Sequence, residues 1–161
     1  MTLNVLDLLK TWPGVWEGQG INHEQQQFKS VLVARPLFKG GATVFWFSAR
    51  GLAGELYHEE LGILGGSMAG ATCMTSANTS VPFLQSFDSA GSDKSAAFLQ
   101  LLHGDHSSDG GFRETLTFEA EKPEVIRVSF LWGMPGEPVA ERSAVSLTQS
   151  KSPVPESCPL K

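Results

Sequence analysis

Positive charge is in short supply in this chain. Its 12 lysines and arginines are outnumbered by 17 acidic residues, for a formal net charge of -5. No basic surplus remains to neutralise a phosphate backbone or an anionic lipid surface, so nucleic acid and membrane-surface partners are not expected. Long apolar runs are also missing. The longest, "TVFWF" and "SAAFLQLL", fall far short of the roughly 20 residues that a membrane-spanning helix needs. The opening "MTLNVLDLLK" carries no basic n-region or cleavage site, which predicts a cytoplasmic location. Cysteine is scarce: Cys73 and Cys158 have no metal-ligand spacing and are too few for a secreted disulfide framework, which fits a reducing compartment. Cys73, with no basic neighbour in sequence, reads as an inert core thiol. Helical periodicity is confined to the first dozen residues, where Leu3, Leu6 and Leu9 recur behind a Thr2 able to cap them, and Pro13-Gly14 end the run.

What the chain does have is turn punctuation and strand formers. Seventeen glycines and nine prolines stand among many Phe, Trp, Val and Thr residues, a composition of short strands and tight turns. From Val15 onward about ten runs alternate with turn signals, at approximately 15–24, 27–37, 42–50, 55–64, 67–76, 81–88, 95–103, 111–119, 124–132 and 139–149. The linkers between them, such as "LGGS" and "GMPGEP", are too short for parallel crossovers, which take a dozen or more residues. Phe112, Glu114, Leu116 and Phe118 alternate with Arg113, Thr115, Thr117 and Glu119, and Ile126, Val128, Phe130 and Trp132 with Arg127, Ser129 and Leu131, so each of these strands buries one face. The expectation is an all-β domain over 1–149. It is a single up-and-down antiparallel barrel of about ten strands, with a short N-terminal helix at 1–12, and unbroken hairpin order removes the exposed edges. The proline-rich residues 150–161 are expected to be a disordered or loosely attached tail.

"WPGVWEGQG" opens the first strand. A phosphate loop would need a strand before its glycines and a helix after them; here the order is reversed. Gly14, Trp16, Gly18 and Gly20 share one face, where glycine permits a bend or the close approach of a ring or ligand. Trp16 then plugs one end of the barrel, with Trp12 and Pro13 seating the helix against it. His58 and Glu60 share a face with Leu56, Gly62 and Leu64, which places a titratable pair among apolar side chains. It reads either as a structural pair fixing register or as a polar anchor or general acid-base pair in a cavity. His103, Asp105, His106 and Asp109 are metal-ligand types in a loop whose composition equally suits a solvated turn. Arg35 and Arg50, at strand ends, could reach an anionic group at a barrel mouth. Phe45, Trp46 and Phe47 make one strand apolar on both faces, so its outer side is expected to pack against the N-terminal helix or a second subunit in a homodimer. No G-x-S-x-G elbow marks a hydrolase.

Three segments carry a family resemblance. "GVWEGQG" resembles the G-x-W-x-G-x-G signature of the nitrobindin-like β-barrels, in the calycin group with lipocalins and fatty-acid-binding proteins. "HEELGIL" resembles their H-x-E-x-G-x-L strand, and "FLWGMPGEPVAERSAVSL" their closing hairpin. The resemblance spans roughly residues 8–149 and implies a ten-stranded barrel with an internal cavity. In members that bind haem, a histidine on the last strand ligates the iron, in a segment H-L-x-A-x-L. Here "RSAVSL" puts Arg142 at that place, and no histidine follows His106. Arginine has no lone pair to give to iron, which argues against haem and against peroxynitrite isomerisation by that route.

The expected function is binding of a small, mostly apolar molecule in a cavity lined by Trp16, Trp46, Phe112, Phe118, Phe130 and Trp132. His58, Glu60 and Arg142 would supply the polar contacts. Two alternatives stand beside it: an enzyme, haem-dependent or using the His58 and Glu60 pair without haem, and a plugged barrel serving as an interaction scaffold. If Val145 and Leu147 point inward, alternation turns Arg142 outward, and only a bulge would return it to the cavity.

Overall fold

Short strands joined by tight connections can satisfy every backbone group only by closing on themselves, and this chain does so. The computed structural model describes residues 5–11, 14–90 and 97–161. Helix α1 (Val5–Thr11) precedes ten strands. These are β1 (Val15–Asn22), β2 (Gln27–Leu37), β3 (Ala42–Gly51), β4 (Leu56–Gly66), β5 (Thr72–Asn78), β6 (Gln85–Ser89), β7 (Phe98–His103), β8 (Arg113–Lys122), β9 (Val125–Gly133) and β10 (Ala140–Ser150). Each strand pairs antiparallel with its sequence neighbours, and β1 closes on β10 through pairs from Val15 with Ser150 to Asn22 with Ser143. The result is the closed up-and-down barrel expected from the hairpin order.

Period-two alternation fills the interior. Trp16, Leu32, Phe45, Leu64, Met74, Phe87, Leu101, Leu116, Phe118, Ile126, Val128 and Leu147 form one continuous apolar cluster. Val5 and Leu9, one helical turn apart on α1, join that cluster beside the fully buried Trp16. Helix α1 packs on β2, β7 and β8 and closes this end of the barrel. The glycines of β1 are required by close approach: a Cβ on Gly20 would sit 2.5 Å from the Phe28 ring, and one on Gly18 would strike the Ser146 carbonyl. The expected roles of Thr2, Leu3, Trp12 and Pro13 lie outside the described residues.

The outer face of β3 differs from expectation. Phe45 and Phe47 point inward, so Trp46, between them, points outward and cannot line a cavity. It packs with Val15, Val33 and Cys158, while its indole nitrogen donates to Glu59 Oε1 at 2.7 Å. Within the chain the cover comes not from α1 but from residues 151–161, whose composition suggests disorder or loose attachment. Val154, Cys158 and Leu160 lie on this patch, and Ser152 Oγ donates to Glu17 Oε2 at 3.0 Å. Apolar side chains spaced among the prolines give the segment something to bury. No helix among the described residues is long and apolar enough to cross a membrane.

Candidate functional site

The barrel interior is filled unevenly. Near α1 the inward positions carry bulky apolar groups. Toward the opposite end they become smaller or polar, as at Ala49, Asn78 and Ser143, and a cavity of about 500 Å³ remains. Phe28, Phe47, Phe112, Phe130 and Trp132 give it aromatic walls. Phe83 and Met134, each about half exposed, form an apolar lip.

Two β-bulges re-aim side chains at this end, a common use of bulges at barrel rims. Ala49 pairs with His58 but Arg50 with Leu56, so Tyr57 is the extra residue of β4. On β10 the register slips between Glu141 and Ser143, and Arg142 is the extra one. Both line the cavity. Val145 and Leu147 do point inward, so the bulge is what brings Arg142 in. Its guanidinium lies 4.3 Å from the centre of the Trp132 ring, Nε donates to the Trp132 carbonyl at 3.2 Å, and Nη2 reaches Glu137 Oε2 at 3.4 Å. His23 meets the same ring edge-on at 5.7 Å. Behind them Arg113 donates to the carbonyls of Gly111, Met134 and Glu137 and so pins the β9–β10 connection at the mouth.

The facing wall is polar. His58 stands between two partners, with Nδ1 2.9 Å from Ser80 Oγ and Nε2 3.5 Å from Glu60 Oε2. Glu60 is only 2 % exposed and sits behind His58 rather than on the cavity surface. Beside this pair the Asn78 amide donates to Gln85 Oε1, and the Gln85 amide donates to Glu114 Oε2 at 2.7 Å. Glu114 lines the cavity. Burial pushes its carboxyl above the ordinary value of 4.5; the Gln85 hydrogen bond opposes this, and the nearby Glu60 charge adds to it.

That shift has a measurable consequence. The folded chain holds the Glu114 proton more tightly than the unfolded chain, so this group's contribution to stability falls as pH rises from 4.5 through its raised folded value. Glu114→Gln needs no proton, and its melting temperature relative to the native chain is expected to rise between about pH 4 and pH 8. A difference that stays constant over that range contradicts the shift.

Of the residues expected to bind a ligand, His58, Phe112, Phe130, Trp132 and Arg142 come together around the cavity. Trp16 and Phe118 lie in the packed interior, Trp46 faces outward and Glu60 is a layer back. Asn22, His23, Tyr57, Asn78, Ser80, Phe83, Glu114 and Met134 line the cavity without having been singled out. Most lie at strand ends or in connections, where alternation gives no facing; Glu114 was visible on the face shared with Phe112. Arg35 and Arg50 do not line it.

At the end of β7, His103 Nδ1 lies 2.8 Å from the Ser86 carbonyl, and in the β7–β8 connection His106 Nε2 is 3.1 Å from the His103 carbonyl. Asp105 accepts from the Ser107 amide. Among the described residues no three such side chains are grouped to hold a metal ion. For haem, the residue at the position where the resemblance puts the iron ligand is Arg142, which lines the cavity, is engaged with Trp132 and Glu137, and is unable to ligate iron. The residue at the expected ligand position does not fit that group.

Fold and cavity together define a class: a closed ten-stranded antiparallel barrel, plugged at one end by a helix and tryptophan and hollow at the other. No protein-family model matches the sequence, and no curated protein is similar to it. Among solved structures, the crystal structure of Rv2717c from M. tuberculosis is similar with a TM-score of 0.60 at 14% identity, over 94% of this chain and 100% of that one. A de novo designed fluorescence-activating beta barrel reaches 0.46 at 13% identity, over 92% of this chain and 99% of its own. At 14% identity the likeness to the M. tuberculosis structure is one of fold.

Proposed function

We propose that the chain binds a small, mostly apolar molecule in its barrel cavity, in the manner of the nitrobindin-like and lipocalin-like proteins its motifs resemble. The observation that carries this reading is the contrast within one interior. The end near α1 is packed solid, while about 500 Å³ at the other end is left to a few aromatic walls and convergent polar groups. A cavity of this size is within the range of small-ligand sites, and its half-exposed Phe83 and Met134 supply an apolar approach. Arg113 and Arg142 hold the mouth in one arrangement, which lowers the ordering cost of binding. Mass spectrometry of the organic extract from natively purified protein is expected to give one dominant small molecule at near-stoichiometric amount. An extract indistinguishable from that of the Ala49→Trp variant, whose cavity is filled, would sink the reading.

A haem-free enzymatic reading has one specific observation in its favour. His58 bridges Ser80 Oγ and Glu60, so its imidazole could take the Ser80 proton while Glu60 orients the ring. On this reading an aryl ester is hydrolysed above the buffer rate and Ser80→Ala removes the excess; no excess in the native chain ends it.

A further inference from the structure

We propose that the ligand of this cavity carries a basic nitrogen, whose ammonium group pairs with Glu114 beside the aromatic wall. The inference rests on the reading of the cavity as a ligand site and adds the chemistry of the ligand's polar end.

The charges around the cavity are arranged with a sign. Its polar wall carries the Glu114 carboxyl at the surface, with Glu60 one layer behind. The groups that face Glu114 are Gln85 from β6, Glu60 and His58 from β4, and His103 from β7. None of these is a lysine or arginine. In register, Glu114 pairs with His103 on one side and with Trp132 on the other, and β9 brings no charge to it. His106, in the β7–β8 connection, touches only the Glu114 backbone carbonyl, at 3.2 Å. Arg142 is the one lysine or arginine among the described residues lining the cavity, and it already serves the Trp132 carbonyl and Glu137.

Each ligand class meets this wall differently. An anionic headgroup would bring another negative charge beside two carboxyl groups in a site shielded from water. A neutral apolar ligand would bury Glu114 further, with Gln85 the one side-chain hydrogen-bond donor to its carboxyl among the described residues. An ammonium group supplies the missing counter-charge: it donates to the ionised carboxylate and offsets the burial that disfavours its charge. Phe112, Phe130 and Trp132 border the same space, and aromatic rings attract cations through their faces.

Three probes sharing one aryl body test the inference by calorimetry near neutral pH: 3-phenylpropylamine, 3-phenylpropan-1-ol and 3-phenylpropanoate. The amine is expected to bind at least about tenfold more tightly than the alcohol, with the carboxylate weakest. Glu114→Gln should abolish the amine's advantage over the alcohol, and a cooperative thermal unfolding transition reports that the variant is folded. In the native chain, lowering the pH should weaken the amine, and not the alcohol, as Glu114 takes up its proton. Alcohol binding that equals or exceeds amine binding overturns the inference and leaves the cavity reading standing. So does an amine preference that survives Glu114→Gln or ignores pH. Binding of none of the three overturns both.

Discussion

Replacing Trp16 with alanine is expected to cost about 3–5 kcal/mol of folding stability, the range for deleting a large buried aromatic side chain. Trp16 has no exposed surface and packs in the cluster that α1 enters through Val5 and Leu9. It lies on the same face of β1 as Gly18 and Gly20, and Gly20 is crossed by the Phe28 ring. Relaxation into the hole is therefore limited, because the neighbouring positions have no side chain of their own to swing in. Urea denaturation measures the effect through the midpoint at unchanged slope. A loss below about 1 kcal/mol would mean that the helix end is not closed by Trp16. Ligand affinity of the folded variant should change little, since the cavity lies at the other end of the barrel.

The second large effect is expected at Ala49. Its side chain is inward-facing, buried and part of the cavity lining, across the ladder from His58. Ala49→Trp puts an indole into the space that a ligand would occupy, and affinity should fall by at least about tenfold. The variant is also expected to lose no more than about 1–3 kcal/mol of stability, the usual cost of overpacking, because there is a void to receive the ring. Filling a hollow end and emptying a packed end thus have opposite signatures. Trp16→Ala harms folding and spares binding, and Ala49→Trp does the reverse.

The parts of this structure legible in sequence are those governed by local rules. Turn residues at short intervals located all ten strands, and alternation in β8 and β9 fixed which residues share a face, down to Glu114 beside Phe112. Hairpin order then implied closure of β1 on β10. What could not be read depends on partners distant in the chain. Trp46 reads from sequence as a cavity residue because a strand apolar on both faces does not say which face is inside. The answer comes from Cys158 and Leu160, at the far end of the chain. The relay from Asn78 through Gln85 to Glu114 joins three strands and has no sequence spacing of its own. Arg142 and Tyr57 reach the cavity through bulges, which strict alternation cannot anticipate at a given residue.

The central claim is that the end of the barrel opposite α1 is a ligand cavity. It is tested most directly by titrating the neutral apolar fluorophore N-phenyl-1-naphthylamine into the native chain and into Ala49→Trp. Saturable binding at one fluorophore per native chain, with a blue-shifted emission lost in the folded Ala49→Trp variant, is the predicted result. Non-saturating fluorescence, or the same isotherm for both proteins, would contradict it.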